Sequence, residues 1–290
     1  MKAVKQLNKT LLSITSLIKL FYRDVIKSYS IWWVVYVPNQ LLNILFGLAA
    51  WYYYTLFAAK GIIETTYGGD IFSFLIIGMA INPILSTAIT YPERLLRFSY
   101  QGTHSTGGFR ISNWAVYYLA KISRLELLIS YYLYSLSESL VNLGLYFIVG
   151  VAIFGFRLNP QANYLVALIA FILGYLSCLA LGMFVACTYW ILLDPGFSVT
   201  NPYVWLVSQL PTIFSGVYFP VSVLPASLRV IGDFLPQTYT LSVVRYALLG
   251  GKSFSELLPD ISKLFIFSLL LPISVVVFKK VEHYMARKKL

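Results

Sequence analysis

The sequence predicts an all-α integral membrane protein with six transmembrane helices, an N-terminal amphipathic helix and two short helices on the outer face between the fifth and sixth spans. Three observations lead to this fold class. Hydrophobic residues make up 59% of the 290 residues and charged residues only 11%, whereas about a quarter of a typical soluble domain is charged. Apolar stretches of about 20 residues, long enough to cross a bilayer, recur along the chain. The basic residues are concentrated in a few segments.

The distribution of these basic residues predicts the orientation of the spans. Of the 22 lysines and arginines, sixteen lie in residues 1–30, 92–124 and 279–290. Cytoplasmic segments of membrane proteins carry an excess of Lys and Arg. We therefore expect these segments and both termini to lie on the cytoplasmic side of the cell membrane. This placement accounts for the net charge of +11 without a nucleic-acid partner.

The first 30 residues are expected to form an amphipathic helix on the cytoplasmic membrane surface, and residues 31–290 a single transmembrane domain. Apolar residues recur in this segment at steps of three and four, with lysines and an arginine between them: Leu7, Leu11, Ile14, Ile18, Phe21 and Val25. Such a pattern is typical of a helix that lies in the membrane interface.

The first span is predicted over about 31–57, between aromatic clusters that mark the two interfaces. Asn39 and Asn43 lie within it. Amides at that depth require a neighbouring helix or a wet cavity as partner, so both are candidates for lining a translocation path. The remaining spans are predicted over about 71–91, 125–154, 165–193, 202–221 and 261–278. Asn82 and Pro83 are expected to break the second span.

Glu138 lies near the middle of the third predicted span. An ionisable residue at that depth is costly and is by default a candidate functional residue. It could bind a proton or ion, line a translocation path, or be a buried acid hydrogen-bonded to neighbours on its own helix. No charged partner for it is evident in another span.

The stretch from 211 to 251 is too apolar for a soluble loop and too rich in proline for a spanning helix. Proline removes a backbone donor and stops or kinks a helix. Two short amphipathic helices are therefore expected at the outer interface. The first, over about 225–234, would bury Leu228 and Ile231, and the second, over about 237–249, would end at a pair of glycines.

This segment resembles the closing segment of ABC-2 type transporter permeases, in the drug-resistance and nodulation-exporter branch. The pattern is G-x-Y-F-P, L-P, L-P-x-T-Y, an arginine and a glycine pair. The resemblance assigns the outer-face segment to Gly216, Phe219, Pro220, Pro225, Pro236, Tyr239 and Arg245. It implies a permease subunit that pairs with a second copy or a relative.

A second similarity to the same family lies in the longest cytoplasmic loop, 92–124. Gly102, Thr103 and Trp114 fit the family's pattern, whereas Ser105 stands where the family has an acid. In that family the loop docks into a separate ATPase subunit, through a short helix that Gly107 and Gly108 would weaken here. The resemblance assigns this docking role to Arg97, Gly102, Thr103, His104 and Ser105.

The sequence contains no complete phosphate-binding loop, which requires G-x-x-x-x-G-K-S/T. Gly251, Lys252 and Ser253 match its end, but Tyr246 stands at the first glycine position. We therefore expect no enzyme activity, cofactor or metal in this chain, with ATP and Mg²⁺ bound by the partner ATPase.

The leading hypothesis is a permease subunit of an ATP-driven exporter that moves an amphipathic or hydrophobic substrate, such as a drug, lipid or lipid-linked glycan, out of the cytoplasm. The alternative is an ion-coupled secondary transporter that uses Glu138. A membrane-embedded enzyme would require clustered His, Asp or Glu near one face, and the sequence shows no such cluster.

Overall fold

The computed structural model describes residues 37–67, 70–100, 102–106, 109–112, 124–192 and 202–289. The predicted helix of residues 1–30 and the start of the first span lie outside these residues. Apart from one two-stranded hairpin, the regular elements of the described part are helical. They are α1 Val37–Tyr67, α2 Ile71–Tyr100, β1 Gly102–Thr106, β2 Phe109–Ser112, α3 Arg124–Phe154, α4 Tyr164–Leu192, α5 Pro202–Phe214, α6 Ala226–Asp233, α7 Pro236–Leu248, α8 Phe254–Ser268 and α9 Leu270–Lys289.

Four helical segments are long and apolar enough to cross a membrane. They are Ile71–Arg94, Ser135–Phe154, Tyr164–Thr188 and Phe254–Val281, the last formed by α8 and α9 together. The predicted class, a helical membrane protein, is confirmed at this level. We call the end of the bundle near the β-hairpin the hairpin end, and the opposite end, where residues 155–163 join α3 to α4, the link end.

Four predicted spans differ from the observed helices. The second continues nine residues past its predicted end, to Tyr100, and the sixth begins at Phe254, seven residues before its predicted start. The first helix continues to Tyr67, ten residues past its predicted end. The fifth ends at Phe214 and not near 221, because the chain turns at Gly216, which has a φ of +81°. At 1.5 Å per residue the 13 residues of α5 cover about 20 Å, which is less than the hydrocarbon thickness.

The prediction that Asn82 and Pro83 break the second span is wrong, since α2 is one helix with Pro83 and Pro92 inside it. A proline inside a helix leaves the carbonyl four residues earlier without its N–H partner. For Pro92 that carbonyl belongs to Ala88, and the Tyr132 hydroxyl of α3 donates to it at 3.2 Å. A neighbouring helix therefore satisfies the group that the proline leaves unpaired.

The short helices after α5 lie differently from the amphipathic pair that was predicted. Leu228 of α6, expected to be buried, is 39% exposed, and the buried residue of that helix is Gly232. Almost every residue of α7 is buried, and this helix packs against α2, α4 and α8. Thus α7 is a core element of the bundle and not an interfacial helix.

The loop at the hairpin end contains an antiparallel hairpin where a short helix was expected. Thr106 pairs with Phe109 and Ser105 with Arg110, which leaves the two glycines, 107 and 108, between the strands. Gly-Gly is among the pairs favoured in two-residue hairpin connections. Strands at 102–106 and 109–112 therefore stand where the short helix was expected.

Candidate functional site

The most extensive polar constellation of the described structure is built on Arg245, which lies in α7 and is 1% exposed. Its Nε and Nη2 donate to the carbonyl of Phe74 in α2, at 3.2 and 3.0 Å. Its Nη1 donates to Gly216 O, and Nη2 also donates to Val217 O at 2.8 Å. One side chain therefore joins α7, α2 and the turn that follows α5.

The Arg245 guanidinium also stacks on an aromatic ring, with Cζ 3.5 Å from the Phe74 ring centroid. Its hydrogen-bond acceptors in the described residues are backbone carbonyls, so no carboxylate neutralises it there.

Two glycines allow this close packing. A Cβ at Gly78 would lie 2.1 Å from Arg245 Nη2 and 2.3 Å from Val217 O, distances that real Cβ atoms do not show. Gly216 adopts a φ of +81°, which L side chains rarely adopt. The clamp around Arg245 therefore requires both glycines. We refer to Arg245, Phe74, Gly78, Gly216 and Val217 as the arginine clamp.

The other predicted outer-face residues shape the chain between α5 and α7. Pro220 O accepts from Val223 N–H at 3.0 Å, and Pro225 is the N-cap residue of α6. Pro236 occupies the first turn of α7, where its missing N–H costs nothing. The Tyr239 hydroxyl donates to Asp233 O at 3.0 Å, which ties α7 back to α6. Phe219 is half-buried and packs on the core.

The predicted docking residues all lie at the hairpin end. Arg97 lies in the last turns of α2, and Gly102, Thr103, His104 and Ser105 lie on strand β1. The pairing of the strands is irregular between Gly102 and His104, so Thr103 lies in a bulge. Bulges commonly redirect a side chain or end the ladder of hydrogen bonds between two strands.

The asparagines proposed for a translocation path lie together on the outside of α1. A Cβ at Gly47 would lie 3.1 Å from Met79 Cε of α2, so Gly47 and Met79 lie at a similar height along the bundle axis. Asn43 is one turn before Gly47 and therefore lies about midway between the two ends of the bundle. Both Asn39 and Asn43 are exposed within the chain. In a bilayer these amides would require water or a second protein as partner.

Glu138 lies at the same depth as Asn43. The bond from Tyr132 to Ala88 O sets the depth of α3 relative to α2, and Glu138 is six residues, or about 9 Å, further toward the centre. The carboxylate is partly exposed.

Sequence reasoning did not identify Gly78 as a site residue. A single glycine inside an apolar helix does not indicate which side chain approaches it. The contact that gives Gly78 a role comes from Arg245 of another helix.

The described residues offer no obvious metal or redox site. No group of three or more His, Cys, Asp or Glu side chains among them could hold a metal ion. Cys178 and Cys187 are free and buried in the same helix. Burial among apolar side chains makes such thiols inert packing residues.

No protein-family model matches this chain, and no curated protein matches it significantly. The functional interpretation therefore depends on the residues and their geometry.

Proposed function

We propose that this chain is the transmembrane permease subunit of an ATP-binding-cassette exporter, which moves an amphipathic or hydrophobic substrate out of the cytoplasm. A separate ATPase subunit would bind ATP and Mg²⁺ and supply the energy. The functional complex would contain two permease chains, either identical or related. The hairpin end would face the cytoplasm, and the protein would have six spans with both termini inside.

The observation that carries this proposal is the arginine clamp. Gly216 and Arg245 belong to the pattern that resembles the closing segment of ABC-2 type permeases, and they are 29 residues apart. In the structure the Arg245 side chain donates directly to Gly216 O. Residues spaced as in the family pattern thus form one constellation, which supports a shared role beyond chance similarity of sequence.

The mechanism that we propose connects the two ends of α2. Its last turns and strand β1 carry the predicted docking residues, and its first turns carry Phe74 and Gly78 of the clamp. Closure of the two ATPase subunits would push on the hairpin end. A continuous helix would transmit this motion to the clamp, and the turn after α5 would open or seal the exit.

A specific observation also favours the second candidate, an ion-coupled secondary transporter. This function requires an ionisable group within the membrane, and Glu138 lies inside the candidate span Ser135–Phe154. Under this proposal Glu138 would take up and release a proton during transport. Transport driven by a pH gradient without ATP, and lost in Glu138→Gln, would establish it.

The exporter proposal can be tested by co-purification with a candidate ATP-binding-cassette ATPase. We expect the wild-type chain to retain the ATPase through size-exclusion chromatography in detergent. Gly102→Arg and Thr103→Arg should weaken this association about tenfold or more, because each places a bulky charge on the docking strand.

Matched controls lie at the link end. Gly61 and Thr65 are exposed on the last turns of α1, and a Cβ at Gly61 meets no atom within 4 Å. Gly61→Arg and Thr65→Arg should leave the association unchanged. Equal loss of binding in both pairs would contradict docking at the hairpin.

A further inference from the structure

Helix α7 enters the bundle from the link end and its N-terminus lies deep inside. Its last carbonyls, Ala247 O and Leu248 O, accept from Asn163 N–H and Asn159 N–H at 2.8 and 3.1 Å. Both asparagines precede α4 at the link end. Toward the other end of the helix, Thr240 packs so closely on Gly174 of α4 that a Cβ there would overlap it.

Two neighbouring helices show how deep this N-terminus lies. The Tyr239 ring of α7 lies 6.3 Å from the Phe267 ring, and Phe267 lies within the Phe254–Val281 span. Gly174 lies within the Tyr164–Thr188 span. The first turn of α7, over 236–238, is therefore buried inside the bundle at the depth of two candidate spans.

This buried N-terminus has no side-chain cap. The N-cap residue is Leu235, which makes no capping hydrogen bond. The first N–H groups of a helix have no partner inside the helix. In α7, Pro236 has no N–H and the Thr238 N–H donates to Leu235 O at 3.1 Å, so the Gln237 N–H is the donor left over in this turn. The macrodipole places a partial positive charge of about +0.5 at this end. Inside the bundle there is little water to satisfy either the donors or the charge.

Two side chains of the first turn add unused donors. Gln237 is completely buried, and among the described residues neither its Nε2 nor its Oε1 has a hydrogen-bond partner. Thr238 is 8% exposed and its Oγ1 is also unpartnered there. Side chains of a helix lean toward its N-terminus, so both extend toward the uncapped end.

We propose that the N-terminus of α7 binds one small monovalent anion, of the chloride class, held by the Gln237 backbone N–H, Gln237 Nε2 and the Thr238 hydroxyl. The positive end of the helix dipole excludes a cation. Asp233, the nearest acid along the chain, is exposed and does not fill the site. Complete burial of Gln237 favours a single-atom ion over a lipid headgroup. This proposal does not depend on the exporter function.

The proposal is tested by the thermal unfolding of the purified full chain in lipid nanodiscs, followed by intrinsic fluorescence. Sodium chloride, bromide and gluconate are compared at equal ionic strength and pH. Because a ligand that binds only the folded state stabilises it, chloride and bromide should raise Tm above its value in gluconate by about 2 °C or more. Gln237→Leu and Thr238→Val should each abolish this difference.

Two further variants make the result decisive. Gln161→Leu alters an exposed glutamine of the residues 155–163 that join α3 to α4 and should keep the full halide effect. Gln237→Glu supplies its own negative charge at the helix end, so this variant should fold and should no longer respond to halide. The same Tm in all three salts, which would mean that the site holds water only, overturns the proposal. A halide effect that persists in both Gln237 variants also overturns the proposal.

Discussion

Adding one methyl group at Gly78 tests the arginine clamp most sharply. In Gly78→Ala the new Cβ would lie 2.1 Å from Arg245 Nη2 and 2.3 Å from Val217 O. The guanidinium or the turn must then move away. Overpacking of a core costs about 1–3 kcal/mol, and each hydrogen bond lost from a charged group about 1.5–3 kcal/mol. We therefore expect Gly78→Ala to lower the free energy of unfolding by at least about 3 kcal/mol.

The assay is thermal unfolding in nanodiscs, with Gly144→Ala as the matched control. Gly144 also lies within a span, and a Cβ there meets no atom within 4 Å. Alanine is the better helix former, so this control should be neutral or stabilised by up to about 1 kcal/mol. The Gly78→Ala variant should lose on the order of 5 °C in Tm or more.

A double-mutant cycle separates the clamp from general crowding. Arg245→Met removes the atom that the new methyl group meets first. Gly78→Ala should therefore cost less in the Arg245→Met background than in the wild type, with a coupling energy of about 0.5–3 kcal/mol. If Gly78→Ala proves as stable as Gly144→Ala, or if the two clamp substitutions are additive, the close approach is refuted.

Three further predictions use the same unfolding measurement. Tyr132→Phe should lower the free energy of unfolding by about 1–3 kcal/mol because it leaves a buried carbonyl of α2 unpaired. The same substitution should cost much less in the Pro92→Ala background, where alanine restores the helical N–H donor. Equal costs in the two backgrounds would contradict the assigned hydrogen bond. Burial raises the pKa of Tyr67, so this phenol stabilises the fold below pH 10 and that stability is lost as the pH rises further. Tyr67→Phe should accordingly unfold with a shallower dependence on pH above 10, and an unchanged slope would refute the assignment. Asn159→Ala should destabilise by about 1–2 kcal/mol, since its side chain donates to a carbonyl at the end of α7 at 2.9 Å; Asn159→Asp, which keeps only the acceptor, should recover little of the loss.

The long apolar helices follow from composition and length. The span predicted over 125–154 is the helix Arg124–Phe154, and the span predicted over 165–193 is the helix Tyr164–Leu192. In such segments nearly every residue favours the membrane, so the location of the helix does not depend on particular contacts. The predicted and observed boundaries of these two helices therefore agree within one residue.

Where tertiary contacts decide the structure, sequence reasoning fails. Pro83 was expected to break α2, but one missing N–H is a local cost that a packed helix tolerates. The prolines on either side of short apolar pieces suggested that α7 is an interfacial helix. Arg245 instead bonds to carbonyls of two other segments, and Thr240 bonds to Pro236 O at 2.8 Å, so both can be buried. These pairings have no local signature.

The candidate site likewise contains residues that the sequence identified and residues that it did not. Arg245 and Gly216 were identified as site residues because they belong to one recognisable pattern. Phe74 accepts from Arg245 across 171 positions of the sequence, and nothing in the local sequence of α2 indicates this contact. The unpartnered amide of Gln237 was also missed, because the pattern leaves that position unspecified.

The central claim, an exporter permease driven by a separate ATPase, is tested most directly by ATP hydrolysis in lipid nanodiscs. The chain alone should hydrolyse no ATP, and the complex with its ATPase should be active. Activity of the complex should fall in Gly102→Arg and persist in Gly61→Arg. A chain that binds no ATPase and moves substrate on a proton gradient, in a manner abolished by Glu138→Gln, would contradict the claim and establish the secondary transporter.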